Sequence, residues 1–178
     1  MPVEESGNML LLMAAIAHVE RNAEYAQRYW PLLTKWALFL KEKGLDPENQ
    51  LSTDDFAGHL AHNANLSIKA ILALASYGKL CGMTGRMEEA SEYEGLARGY
   101  AKEWMKLARD EGHYRLAFDK PGTWSQKYNL VWDRLLGLNI FPPEVARTEL
   151  AYYKTKQNTY GLPLDNRSEY TKLDWILW

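Results

Sequence analysis

The sequence has one cysteine, four phenylalanines and no surplus of either charge, and each shortage excludes something. A lone thiol, Cys81, forms no internal disulfide and builds no cysteine-ligated zinc site. With 21 Lys and Arg against 23 Asp and Glu the formal charge is −2, and no long basic cluster breaks the mixture. Nucleic acid and anionic membrane are therefore disfavoured partners. The apolar run from Met9 to Ala17 is too short to span a bilayer, and the two glutamates ahead of it are the wrong flank for a signal peptide. There is no Gly-rich phosphate loop, no Gly-x-Ser-x-Gly elbow, no heptad run and no fixed-period repeat.

What remains, at 178 residues and 47% hydrophobic, is about one globular domain. Its aromatic residues are mainly amphipathic, seven Trp and eleven Tyr, which suit sugar faces or aromatic-lined clefts and helix packing equally well. Apolar spacing predicts helix almost throughout. Over residues 23 to 43, Tyr29, Leu33, Trp36 and Leu40 recur at helical intervals before Gly44 and Pro47, and Pro31 kinks the helix or opens its main segment. Residues 64 to 81 are apolar on nearly every side, the mark of an inner helix. Ala90, Tyr93, Ala97, Tyr100, Trp104 and Leu107 form one stripe of an outer helix, closed by Gly112. Residues 114 to 118 read as a short strand or extended loop, 129 to 138 as helix, and Pro142-Pro143-Glu144 opens a helix to about Gln157. The pattern is all-α: about seven helices in successive αα-hairpins of one buried and one amphipathic member, forming part of an α/α toroid.

Two acidic pairs are the candidates for general acid and base. Asp54 and Asp55 lie in Leu-Ser-Thr-Asp-Asp-Phe (51 to 56), between an outer-type and an inner-type helix, where loops of a toroid line its central funnel. Thr53 or Asp54 equally well caps the inner helix, which leaves the second aspartate unexplained. Glu4 and Glu5 precede Ser6-Gly7-Asn8 and the first helix. They either favour its N-terminus or set Glu5 opposite Asp55 across a cleft. Asp55, His59 and His62 would share a helical face, but they fall short of a zinc ligand set, so no metal or other cofactor is expected. Cys81 reads as a buried structural thiol. Two polar and aromatic loops, 118 to 129 and 160 to 167, carry the binding candidates Trp124, Lys127, Tyr128, Asp165 and Arg167, with Glu4 added from the first acidic pair.

Four segments together resemble the glutaminase A family of fungal and bacterial proteins: Met-Pro-Val-Glu-Glu-Ser-Gly-Asn-Met-Leu (1 to 10), Leu-Ser-Thr-Asp-Asp-Phe-Ala-Gly-His-Leu-Ala-His-Asn-Ala-Asn-Leu (51 to 66), Trp-Ser-Gln-Lys-Tyr-Asn-Leu-Val-Trp-Asp (124 to 133) and Tyr-Gly-Leu-Pro-Leu-Asp-Asn-Arg (160 to 167). The likeness runs along essentially the whole chain. It implies a six-hairpin, glycosidase-like α/α toroid of which residues 1 to 178 supply about half, ending within a helix. It also implies hydrolysis of L-glutamine to L-glutamate and ammonia by an intact amidohydrolase that is extracellular or in the periplasm or cell envelope, with further β-rich domains as partners and the fragment inactive alone. On this reading Glu5, Asp55 and Asp54 do acid and base chemistry, while Lys127, Tyr128 or Arg167 holds the substrate carboxylate or the oxyanion. A glycoside hydrolase or sugar-binding toroid using paired carboxylates is the alternative, so the small-molecule substrate is glutamine or a saccharide.

Overall fold

The computed structural model describes residues 1–50, 52 and 58–177 of the chain. Helix dominates: α1 (Val3–Glu20), α2 (Glu24–Gln27), α3 (Trp30–Lys43), α4 (Ala64–Met83), α5 (Met87–Leu107), α6 (Val131–Leu135), α7 (Pro143–Tyr153) and α8 (Leu173–Leu177). A 3-10 turn, Tyr128–Leu130, leads into α6, and the strands β1 (Arg109–Asp110) and β2 (His113–Tyr114) form a two-residue antiparallel hairpin.

α4 is the centre of the packing. It is apolar around its circumference because it is covered around its circumference: from Ala64 through Gly78 every residue is buried. By length and composition it would pass as a membrane span, yet 83% of that window is buried inside the domain, as expected of a core helix. Its start is set by Asn63, whose Oδ1 accepts the amides of Asn65 (2.9 Å) and Leu66 (3.0 Å). α5 packs on it closely. A Cβ on Gly78 would sit 3.2 Å from the Ala90 carbonyl oxygen and 3.3 Å from Tyr93 Cβ, so glycine sets the spacing of this hairpin. At the other end Trp104, fully buried, donates its indole N–H to the Ala64 carbonyl at 2.8 Å and meets the rings of Tyr114 and Phe141.

The cross-contacts fix the directions. Residue 4 of α1 meets residue 69 of α4 and residue 18 approaches residue 79, so α1 and α4 run parallel. Asn129 meets Asn65 and the Leu136 carbonyl accepts from Lys79, so the 3-10 turn and α6 run parallel to α4 as well. α5 is antiparallel to α4, since 104 meets 64 while 90 meets 78. α3 is antiparallel too: Thr34 bonds Tyr77, and the Leu45 carbonyl accepts from Ser67. Inner helices α1, α4 and α6 thus begin at one end, and the helices beside them return the chain to it.

The structure corrects several boundaries. α1 begins at Val3, so Glu4 and Glu5 lie within its first turn instead of preceding it. The segment 23 to 43 is two helices, with Pro31 in the first turn of α3, which is where proline is tolerated. α5 ends at Leu107, and Gly112 (φ +72°) turns the β1–β2 hairpin instead of closing the helix. The helices expected over 129 to 138 and up to Gln157 are each shorter by several residues, because Asp133 and Tyr153 bond to neighbouring loops.

Candidate functional site

The end at which the inner helices begin carries the described residues of the four segments singled out in the sequence, joined in series by specific hydrogen bonds. The Val3 amide donates to Gln50 Oε1 at 2.9 Å, which ties the start of α1 to the chain entering the loop before α4. That loop is pinned on its return, where Leu60 N–H meets the Gln50 carbonyl and His62 N–H donates to Pro47 at 2.8 Å. Asn65, in the first turn of α4, accepts the Asn129 amide and receives the Asn129 carboxamide on its own carbonyl at 3.1 Å. Ser125 then pairs with Asp165 across an antiparallel bridge, flanked by Gln126 N–H to Leu164 O (2.7 Å) and Trp124 N–H to Asn166 Oδ1 (2.9 Å).

Two buried ion pairs brace this end. Glu4 and Lys69 face each other from α1 and α4 with side chains 8% and 5% exposed. Lys69 also donates to Asn8 Oδ1 at 2.9 Å, so Glu4 and Asn8, one turn apart, clamp a cation carried on the most apolar helix. Gly7 makes room, since a Cβ there would lie 3.1 Å from Lys69 Cγ. Each member of the Ser-Gly-Asn segment therefore has a use: Ser6 Oγ bonds back to the Pro2 carbonyl, Gly7 gives clearance and Asn8 accepts. The second pair is Lys127 and Glu149, 3.3 Å apart with almost no exposure. The Lys127 ammonium also reaches the carbonyls of Tyr114 and Ser125 and the Ser125 hydroxyl. Glu149 Oε1 accepts the Tyr114 amide (2.8 Å), and Oε2 accepts the Tyr153 hydroxyl (2.7 Å). Burial pushes the Lys127 ammonium below its ordinary range against the pull of Glu149, and burial and that same carboxylate push the Tyr153 phenol well up.

Against this geometry the sequence candidates separate. Glu5 is exposed on the first turn of α1, beside buried Glu4. Asp54 and Asp55 lie outside the described residues, while the cap of the inner helix is Asn63. Trp124 is buried with its ring edge-on to Tyr152. Tyr128 stacks on Trp175, rings 5.3 Å apart and 12° from parallel. Arg167 grips Asp165 through Nε and Nη2, the shortest contact being 2.6 Å, and its side chain stays 22% exposed. Lys127 is enclosed by protein acceptors. Gly58 is left-handed (φ +90°) and His62 is too (φ +59°), so residues 58 to 62 are not helical and His59 and His62 share no helical face. His62 instead bonds Asp46 at 2.7 Å, and that hydrogen bond raises its pKa. Cys81 is fully buried, which pushes its thiol up to about 11 and leaves it unreactive. Lys69, Asn8, Glu149 and Tyr153 were not singled out. The signal for Lys69 was a cation within the apolar run of the inner helix; Glu149 and Tyr153 gave none.

The fold and this loop face define a class before any comparison: helical hairpins in series, inner helices parallel, with a polar loop layer over their starting ends. The model of the glutaminase A six helical-hairpin domain matches residues 1–178, and the chain belongs to that family. It is 39% identical over 181 aligned residues to Glutaminase A of Aspergillus oryzae, covering 99% of the chain and 26% of that protein. It is 29% identical to a protein of Arthroderma benhamiae named "Probable glutaminase", covering 85% of the chain and 21% of that protein. The chain thus spans about a quarter of the length of these relatives.

Proposed function

We propose that the chain is a sector of a glutaminase that hydrolyses L-glutamine to L-glutamate and ammonia, working within a longer, extracellular or cell-envelope protein whose remaining helices complete an α/α toroid. The observation that carries the reading is the convergence of the four family-like segments at the end where the parallel inner helices begin. Two relatives named as glutaminases across nearly the same span support it. In the reaction an ionised carboxylate takes a proton from water as its oxygen attacks the side-chain amide carbon. A protonated carboxyl group then gives a proton to the departing nitrogen, so that ammonia leaves and a carboxylate remains. We assign these roles to Glu5 and Asp55, with Asp54 beside them in sequence, because Glu5 is an exposed carboxylate at this end and Asp54 and Asp55 follow within five residues of Gln50, which is tied to the start of α1. Arg167, oriented by Asp165 and partly open to solvent, is the cation for the substrate α-carboxylate. The enclosed Lys127 braces the loop. The buried Trp124 and Trp175 offer no ring platform for a sugar, which counts against the glycosidase alternative.

The test is ammonia release from L-glutamine by the longer protein and its Asp55→Ala variant, with a panel of aryl glycosides in parallel. Release that collapses in the variant is expected. Turnover of a glycoside with none of glutamine would overturn the assignment.

A further inference from the structure

A groove of about 900 Å³ lies beside α7, and Glu5 is not among the residues that line it. One wall is a continuous stripe of α7 and the turn after it, in which Pro143, Ala146, Arg147, Leu150, Lys154 and Gln157 recur at three- and four-residue spacing. The facing wall comes from the 3-10 turn, α6 and α8. A helix presents such a ridge to another helix, and Ala146 near its middle permits close approach. Two of its apolar side chains are open to water, Leu150 at 60% exposed and Ile176 at 38%, while Phe141, Leu162 and Trp175 are buried along it.

The charges in the groove sort into two sets. Asp133 is consumed by the Ile140 and Phe141 amides, at 3.0 and 2.8 Å, and Lys127 and Glu149 neutralise each other in the interior. Arg134, Arg147 and Lys154 are exposed, and among the described residues none of the three side chains has a hydrogen bond or ion pair. The groove is therefore an apolar channel with an uncompensated cationic rim. Arg147 and Lys154 are seven residues apart, two turns or about 10.5 Å along one face.

We infer that this groove docks an amphipathic helix whose apolar stripe is flanked by carboxylates seven residues apart, supplied by the remainder of the longer protein. Charge complementarity selects its chemistry. The relatives, four to five times the length of the matched span, are proteins with sequence in hand to provide it. The docking does not depend on the reaction proposed above.

Fluorescence anisotropy of the 178-residue chain with two labelled helical peptides tests this. Both peptides carry one leucine stripe, one with glutamates at the flanking positions and the other with lysines. The acidic peptide should bind at least about tenfold more tightly at low salt, the margin should shrink at high salt, and Arg147→Glu with Lys154→Glu should invert it. Both replaced side chains are exposed and have no partner among the described residues, and circular dichroism checks that the double variant is folded. Equal affinities, no binding of the acidic peptide, or indifference to the charge reversal would overturn the inference. So would self-association of the chain that Leu150→Asp abolishes and the acidic peptide fails to displace, because the groove would then belong to a second copy.

Discussion

The α4–α5 hairpin and the loop face above the inner helices are held together by different physics. In the hairpin, stability comes from apolar area, with Ile68, Ile71, Leu72 and Leu74 all fully buried, so the cost of a change follows volume and clearance. On the loop face the buried groups include the charged Glu4, Lys69, Lys127, Glu149 and Asp165, each with a particular partner. There the cost of a change is the cost of stranding what it leaves behind. The first region tolerates similar shapes; the second tolerates only matched pairs.

The largest expected effect lies where the two regions meet. Trp104→Ala empties the most voluminous fully buried site and removes the indole donor that ties α5 to the Ala64 carbonyl in the first turn of α4, and it should lower unfolding free energy by about 3–5 kcal/mol in urea denaturation. Glu149→Leu should cost about 3 kcal/mol because it leaves the Lys127 ammonium buried and unpaired, whereas adding Lys127→Met should recover most of that loss. A double-mutant cycle that found the two costs additive would erase the distinction between the regions. Asn63→Ala removes the cap of α4 and should cost about 1 kcal/mol, read as a shift in denaturation midpoint. The smallest effect is the pH dependence of the half-exposed His62–Asp46 pair. Its folded pKa is raised, so its stabilisation is complete below about pH 6.5 and fades as the pH climbs through the folded value. Melting temperature followed from pH 5 to 8 should show that fade in the natural chain and lose it in Asp46→Asn.

The hairpins were legible because their signal is periodic. The all-round apolar composition of α4 and the single stripe of α5 each follow from how many sides are covered, and the structure covers them accordingly. Membership of a family of six helical hairpins was legible from four ordered segments. Helix ends were harder, because a boundary depends on a hydrogen bond from elsewhere: Asn63 caps α4 only where the chain returns from the loop, and Asp133 stops α6 by capturing the amides of Ile140 and Phe141. The pairing of the two polar loops through Ser125 and Asp165 was not readable, since the residues are forty apart and neither segment is a strand. Lys127 illustrates the limit at the site. A lysine in a polar loop looks exposed in sequence, and only the fold shows that Glu149, from a helix more than twenty residues on, draws it inside.

Glu5 and Asp55 are the proposed acid and base, and the end of the molecule that carries Glu5 depends for its integrity on Glu4, Lys69 and the paired loops. The most direct measurement is steady-state ammonia release from L-glutamine by the longer protein carrying Glu5→Gln, with thermal melting of the same sample. The expected result is that kcat falls about 100-fold or more while the melting temperature holds, because Glu5 is exposed and the neighbouring ion pair is untouched. Unchanged turnover, or a loss of turnover matched by a loss of fold, would contradict it.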